Sequence, residues 1–523
     1  MPEVSIEDNP KKATSYDSIE VQEVEEPQEN IWNRKSIYRS WLLLCYSTGP
    51  VASMTRTYVP AVIQSIGNRI GHSRNGGPCS RRGTDCYVRF GGGQVNSTSY
   101  VLYVRAITTA IEGVVTLFLM GIADYSNYRK IFLIGSILLY GAFALPFAGM
   151  TGNNYPTLKA VTTLYILLGI DDSIYQIIEG SYIPNFMRAA NTPKGTVAEE
   201  VRKDMILKRG SVVSVMGLFL GNLGGLTALL IGIIISYGRG GPMTDGYHNF
   251  LLAITIAGCM TMVFALISAW FIPNEKGKEK PKGEILLLLS VKRFIKLLKE
   301  IRRYPNAFKY CIAWVIWNVS FSNFMSLFVL LFRSTLGLGS SDGEYTVYTF
   351  MSYLTASMGS IAWMFLYPRA GIKIKSWGYG FLLFSLFTNF WGCLGISSTT
   401  AVGFKNRWEF WVFEVFYSAS SSALRSLNRC VYSTLLPEGD EAQYFGLEIM
   451  LGIATGWVGG LVNATIQDRT GNAAMPFLPN TFLVAISICL YFTVDFEQGM
   501  KDAEKMVEES EEPCSIDNAS QAK

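Results

Sequence analysis

Apolar blocks of roughly 18 to 28 residues alternate with short polar connections along most of the chain. A bilayer core about 30 Å thick is crossed by about 20 apolar residues in a helix. The pattern therefore predicts membrane spans at 38–66, 101–123, 131–149, 160–183, 210–236 and 249–272, then at 307–332, 345–367, 376–396, 408–432, 444–466 and 474–494. The two sets of six are divided by the longest internal hydrophilic segment, 273–306. It opens with the charged run EKGKEKPKG and continues as GEILLLLSVKRFIKLLKEIRRY. The second part carries apolar residues on one helical face and Lys and Arg on the other. It predicts an amphipathic helix lying at an anionic cytoplasmic leaflet, although a calmodulin target has a similar pattern. The expected fold is an all-α membrane protein with twelve transmembrane helices in two six-helix halves, 37–272 and 307–495. Residues 273–306 form a cytoplasmic linker, and 1–36 and 496–523 are acidic cytoplasmic tails.

Polar residues inside the blocks carry the functional signal. A charge in hydrocarbon costs several kcal/mol, on the order of 3 for a central Arg or Asp, unless it faces protein or water. The block 408–432 holds Glu414, Ser418, Ser421, Arg425 and Asn428 at steps of four, three, four and three. That spacing puts them on one helical face and predicts that the face lines something wet. The next block is glycine-rich, which favours close helix approach. In the first block, Gly49-Pro50 and Pro60 predict a proline-broken helix around Arg56. The fourth carries Asp172, Gln176 and Glu179 on one face, with Asp171 beside them. Carboxylates sharing a low-dielectric cavity suit proton coupling or recognition of an ammonium group, and a structural pairing with a neighbouring helix accounts for each of them equally well. Asn318 and Asn323 lie in the seventh block. Polarity thus concentrates in blocks one, four, seven and ten, with Glu112 and Glu448 as exceptions. A zwitterionic solute would find an ammonium acceptor in Asp172 or Glu179 and a carboxylate donor in Arg56 or Arg425.

Composition narrows the class further. The chain is 49% hydrophobic and 16% charged, whereas a soluble domain is about a quarter charged. The net charge of +4 is segregated into acidic tails and basic loops, a record of topology that gives no support to nucleic-acid binding. Basic residues before the first span place the N-terminus in the cytoplasm. The first thirty residues are polar and show no cleavable leader. Two histidines without ligating neighbours predict no metal, and no nucleophile motif or phosphate loop predicts an enzyme or a cofactor. The loop 67–99, read as non-cytosolic, holds Cys79 and Cys86, able to form a disulfide there, and the glycosylation sequon Asn96-Ser97-Thr98. Its arginines (Arg69, Arg74, Arg81, Arg82, Arg89) conflict with that side on a simple count of basic residues.

Several stretches together resemble a known family. LRSLNRCVYSTLLPEGDEAQYFGLE, then WVGGLV and QDRTGN, resemble the autophagy-related protein 22 family, as do TYVPAVIQSIGNRIG and ADYSNYRK. The resemblance implies the major facilitator fold, whose first, fourth, seventh and tenth helices line a central cavity. It implies vacuolar export of amino acids, neutral ones such as leucine, isoleucine and tyrosine; membrane lipids, from the apolar blocks, and protons, from the paired carboxylates, are the other candidate partners. ADYSNYRK resembles the gating signature after the second helix of that fold, with Asp124, Arg129 and Lys130 in the gating role; an ordinary charged turn accounts for it too. One departure stands out. The family tends to place an acid before the break in the first span, where this chain has Tyr46-Ser47-Thr48-Gly49-Pro50. The departure keeps open a major facilitator carrying another small solute at another membrane. A non-transporting scaffold would have little reason to hold buried charge.

Overall fold

The computed structural model describes residues 31–511 apart from 75, 80–85, 126–127, 181, 189–198, 239–246, 275–285, 338–342 and 437–440. Its first half contains α1 (Lys35–Ile70), α2 (Ser97–Tyr125), α3 (Arg129–Ala144), α4 (Tyr155–Gly180), the short α5 (Ile183–Arg188), α6 (Glu199–Gly238) and α7 (Tyr247–Ala269). Helix α8 (Leu286–Glu300) links it to the second half. That half contains α9 (Pro305–Leu336), α10 (Gly343–Ala370), α11 (Ile374–Leu394), α12 (Arg407–Thr434), α13 (Glu441–Thr470) and α14 (Phe477–Phe492). A last helix, α15 (Phe496–Glu511), leaves α14 at 65°. Twelve long helices thus form two sets of six. Among the described residues, seven are individually long and apolar enough to cross a membrane, and the bent pair α14–α15 adds an eighth. Helices α1 and α12 fall short of that measure and carry Arg56 and Arg425, so lining a polar cavity dilutes their apolar character.

Within the first half α1 packs on α6 and α7, and α3 on α7 and α4. In the second, α9 packs on α14, and α10 on α12. The halves meet along α2–α13 and α6–α10. The residues at these seams are small: Gly113 faces Ala454, Gly456 faces Thr109 and Gly460 faces Ala106. Close backbone approach is how helices associate where no hydrophobic effect separates them from lipid.

Helix α1 corrects the expected break. It runs unbroken from Lys35 to Ile70 with Pro50 and Pro60 inside it. A proline removes one backbone donor, and hydroxyls of α1 around it donate to carbonyls of α1 and α6. Ser47 donates to the Leu44 carbonyl, Thr48 to that of Cys45, and Ser53 to those of Pro50 and Gly225. Gly49 presses on α6 so closely that a Cβ there would collide with the Gly221 carbonyl.

The end of the bundle carrying the connection between α1 and α2 also holds an unexpected antiparallel hairpin, β1 (Tyr87–Phe90) and β2 (Gly93–Asn96). Its two-residue turn is Gly91-Gly92, with Gly91 at φ +58°, the region such turns require. Cys79 and Cys86 are disulfide-bonded beside it. This end is termed the hairpin face, and the opposite end, where α1 begins and α8 lies, the terminal face.

Candidate functional site

Charged side chains meet midway along α1, α4 and α12. Arg56 of α1 and Asp172 of α4 form an ion pair at 3.5 Å. The Tyr175 hydroxyl donates to Asp172 Oδ1 at 2.5 Å, and the Tyr140 hydroxyl of α3 reaches the same oxygen at 3.4 Å. Asp172 is therefore held by one cation and two phenols. The Arg56 side chain is 55% exposed, so its guanidinium borders open space inside the bundle. Tyr353 of α10 lies within side-chain hydrogen-bonding reach of Arg56 and within electrostatic range of Arg425. Gln176, one turn from Asp172, is also exposed.

Arg425 differs from Arg56 in its surroundings. Its guanidinium stands 4.4 Å over the ring of Phe321 in α9, a cation–π contact. It is exposed, and among the described residues no carboxylate lies within ion-pair distance of it. Arg56, Asp172 and Arg425 together carry one net positive charge. Such a group of charges between two helical halves can accept an anionic group at Arg425 and offer a counter-charge at Asp172.

The remaining sequence candidates lie elsewhere. The polar stripe on α12 does not line one wet face, because neighbouring helices cover most of it. Glu414 is 1% exposed, accepts from the Tyr348 hydroxyl of α10 at 2.8 Å and from Ser418 at 2.7 Å. Ser421 is buried, and Asn428 donates to Glu448 of α13 at 3.1 Å. Asn323 is buried against Gly459, and Asn318 is half-buried beside Gly452, so both belong to the α9–α13 contact. Glu179 lies within electrostatic reach of the buried Cys45 of α1. Asp171 is buried and takes no part in the ion pair. Around the expected gate, Arg129 lies over the Tyr182 ring at 4.9 Å and Lys130 is half-buried in the first turn of α3; the side chain of Asp124 lies outside the described residues. Asn96 caps α2, its Oδ1 accepting from the Thr98 backbone N–H.

Several residues of the site were not anticipated. Tyr140 and Tyr175 hold Asp172, but aromatics are too common in membrane spans to be singled out. Arg105 of α2 is half-buried within electrostatic reach of Glu112; an arginine inside an apolar block was the signal that should have found it. Arg333 ties the two halves together at the hairpin face. It donates to the Ala61 carbonyl at 3.0 Å, to Gln64 Oε1 at 2.9 Å and to Ser65 Oγ at 3.0 Å, and stands 5.2 Å over the Tyr345 ring. Tyr345 in turn donates to the Thr57 carbonyl at 2.8 Å. These contacts join α9 and α10 of the second half to α1 of the first.

The profile of a family described as "Vacuole effluxer Atg22 like" matches residues 33–504. The chain belongs to that family. It is 65% identical over 475 residues to autophagy-related protein 22 of Candida albicans, covering 91% of this chain and 92% of the relative. It is 20% identical over 506 residues to autophagy-related protein 22 of Saccharomyces cerevisiae, covering 90% and 93%. Among solved structures, a D-xylose-proton symporter superposes with a TM-score of 0.57 at 12% identity, covering 89% of this chain and 98% of the other. The major facilitator superfamily transporter FucP, in its outward conformation, gives 0.51 at 12%, covering 88% and 100%. At these identities the likeness establishes the fold alone. The Atg22-like chain is thus a multi-pass transporter of the vacuolar membrane with the major facilitator architecture, and not an enzyme.

Proposed function

We propose that this transporter exports amino acids, neutral ones such as leucine, isoleucine and tyrosine, from the vacuole to the cytosol by alternating access. The observation that carries the reading is Arg425, an exposed arginine without a carboxylate partner among the described residues, facing the same space as the Arg56–Asp172 pair. In this reading Arg425 takes the substrate α-carboxylate through two parallel N–H donors. The ammonium competes with Arg56 for Asp172. Substrate binding then exchanges one ion pair for another and loosens the link between α1 and α4. The terminal face is cytosolic and the hairpin face is lumenal. With Arg333 and Tyr345 closing the hairpin face, this structure corresponds to a state whose cavity faces the cytosol.

The test is release of labelled leucine, tyrosine and lysine from isolated, preloaded vacuoles, with and without the protein. Leucine and tyrosine should leave faster when it is present. Loss of a hydrogen-bonded charge contact worth about 1.5–3 kcal/mol predicts that Arg425→Ala raises the half-saturating substrate concentration about 10–100-fold. No difference in release, with the protein shown to be in the vacuolar membrane, would sink the amino-acid assignment and leave the fold standing.

A further inference from the structure

We infer that Glu112 of α2 is the second acceptor for the substrate ammonium, which the site holds between α2 and α4. The inference rests on the reading above, in which the ammonium reaches Asp172, and it names the group that completes the ammonium's shell. An ammonium presents three N–H donors, and each carboxylate oxygen offers two lone pairs. At Asp172 the hydroxyls of Tyr140 and Tyr175 take Oδ1, and Arg56 faces Oδ2. Even when Arg56 gives way, Oδ2 alone cannot satisfy three donors. Along α1, α2 and α4 the backbone carbonyls are taken within the helices themselves. The missing acceptor is therefore a side chain.

Glu112 stands where that acceptor is needed. Its carboxylate lies over Gly169 of α4, so closely that a Cβ there would collide with Glu112 Oε1 and with the methyl group of Thr108. Gly169 and Asp172 are at i and i+3, neighbours on the helix surface with side-chain roots about 5–6 Å apart. A side chain at 169 would fill that gap, and glycine leaves it to Glu112. Asp172 is itself within electrostatic reach of Glu112. Glu112 is half-buried, and among the described residues no cation lies within ion-pair distance of it. A substrate cation therefore meets Glu112 without displacing an ion pair, as it must at Asp172. Two other groups stand close. Gln176, exposed one turn beyond Asp172, offers only a neutral oxygen, and a bond to a charged acceptor is about twice as strong. Arg105, on the same face of α2 as Glu112, is about 10 Å away along the helix axis and forms no ion pair with it.

The experiment measures binding to the purified full-length protein in mild detergent, read as the ligand-dependent rise of the unfolding midpoint. The ligands are leucine and isocaproate, the same molecule without its ammonium. The wild type should prefer leucine. Glu112→Gln should weaken leucine binding about 10–100-fold and leave isocaproate binding unchanged, so that the preference collapses. Should Glu112→Gln fail to accumulate, Gly169→Ala, which pushes the carboxylate off α4 and keeps its charge, is expected to narrow the preference in the same direction. Wild-type preference in Glu112→Gln overturns the inference. So does equal weakening of both ligands, which would make the residue a structural support. A collapse seen with Gln176→Leu and absent from Glu112→Gln would give the ammonium to Gln176. Loss of the Glu112→Gln effect in an Arg105→Gln background would show Glu112 acting through Arg105. Either result overturns the inference and leaves the amino-acid reading standing. A wild type that binds neither ligand, or both alike, sinks that reading and the inference with it.

Discussion

Asp172 accepts from two tyrosines and pairs with Arg56, so its removal tests more than one bond. Breaking a fully buried ion pair costs about 3–5 kcal/mol. The Arg56 side chain is more than half exposed, which brings the cost nearer the roughly 1 kcal/mol of a solvated pair. Asparagine at 172 still accepts from both phenols. Asp172→Asn should therefore accumulate in the membrane at close to normal levels and release no leucine. The double variant Arg56→Gln, Asp172→Asn should accumulate equally well and remain inactive. Immunoblots of vacuolar membranes and the release assay check both, and wild-type release by the double variant would make the pair a structural tie only.

At the scale of helices, the crossing of α1 and α6 sets the geometry of the cavity, because it fixes the segment that carries Arg56. Gly49 and Gly224 bring the backbones together: a Cβ at 49 would meet the Gly221 carbonyl, and one at 224 would meet the Tyr46 carbonyl. Alanine in a helix is favoured over glycine by about 1 kcal/mol, whereas overpacking costs about 1–3 kcal/mol. With backbone as the obstacle, overpacking wins. Gly49→Ala should lower the unfolding midpoint in detergent. Gly135→Ala on α3, where a Cβ meets nothing within 4 Å, should leave it unchanged or raise it. A stable Gly49→Ala would mean that α1 and α6 cross less tightly than the structure has them.

Across the whole molecule, the alternation proposed above requires separating α1 from α9 and α10 at the hairpin end. Arg333 supplies three donors to that seam and Tyr345 one. Removing a charged donor from such contacts is worth about 1.5–3 kcal/mol. Arg333→Ala should shift the population toward an open hairpin face. Labelling of an Ala61→Cys probe by a membrane-impermeant maleimide should then rise by about tenfold; equal labelling in both backgrounds would remove Arg333 from the gate. The same site shows where sequence reading fell short. Arg333 stands at the end of its apolar block, where an arginine ordinarily reaches for the interface, so nothing local marked it as a tie between halves.

The amino-acid sequence by itself determined the twelve-helix, two-half architecture, because block length answers to the bilayer even where polar residues dilute a block, as in α1 and α12. It also marked Arg56, Asp172 and Arg425, since charge in an apolar block is costly wherever the block lies. Tertiary structure alone decided which of the marked residues share a space. Periodicity places Glu414 and Arg425 on one face of α12, yet Tyr348 covers the first and leaves the second open. The unbroken course of α1 through Pro50 was likewise decided in the fold, where Gly49 and Gly224 let α6 pack directly against the proline segment. A helical face is a property of the chain; what covers it is a property of the fold.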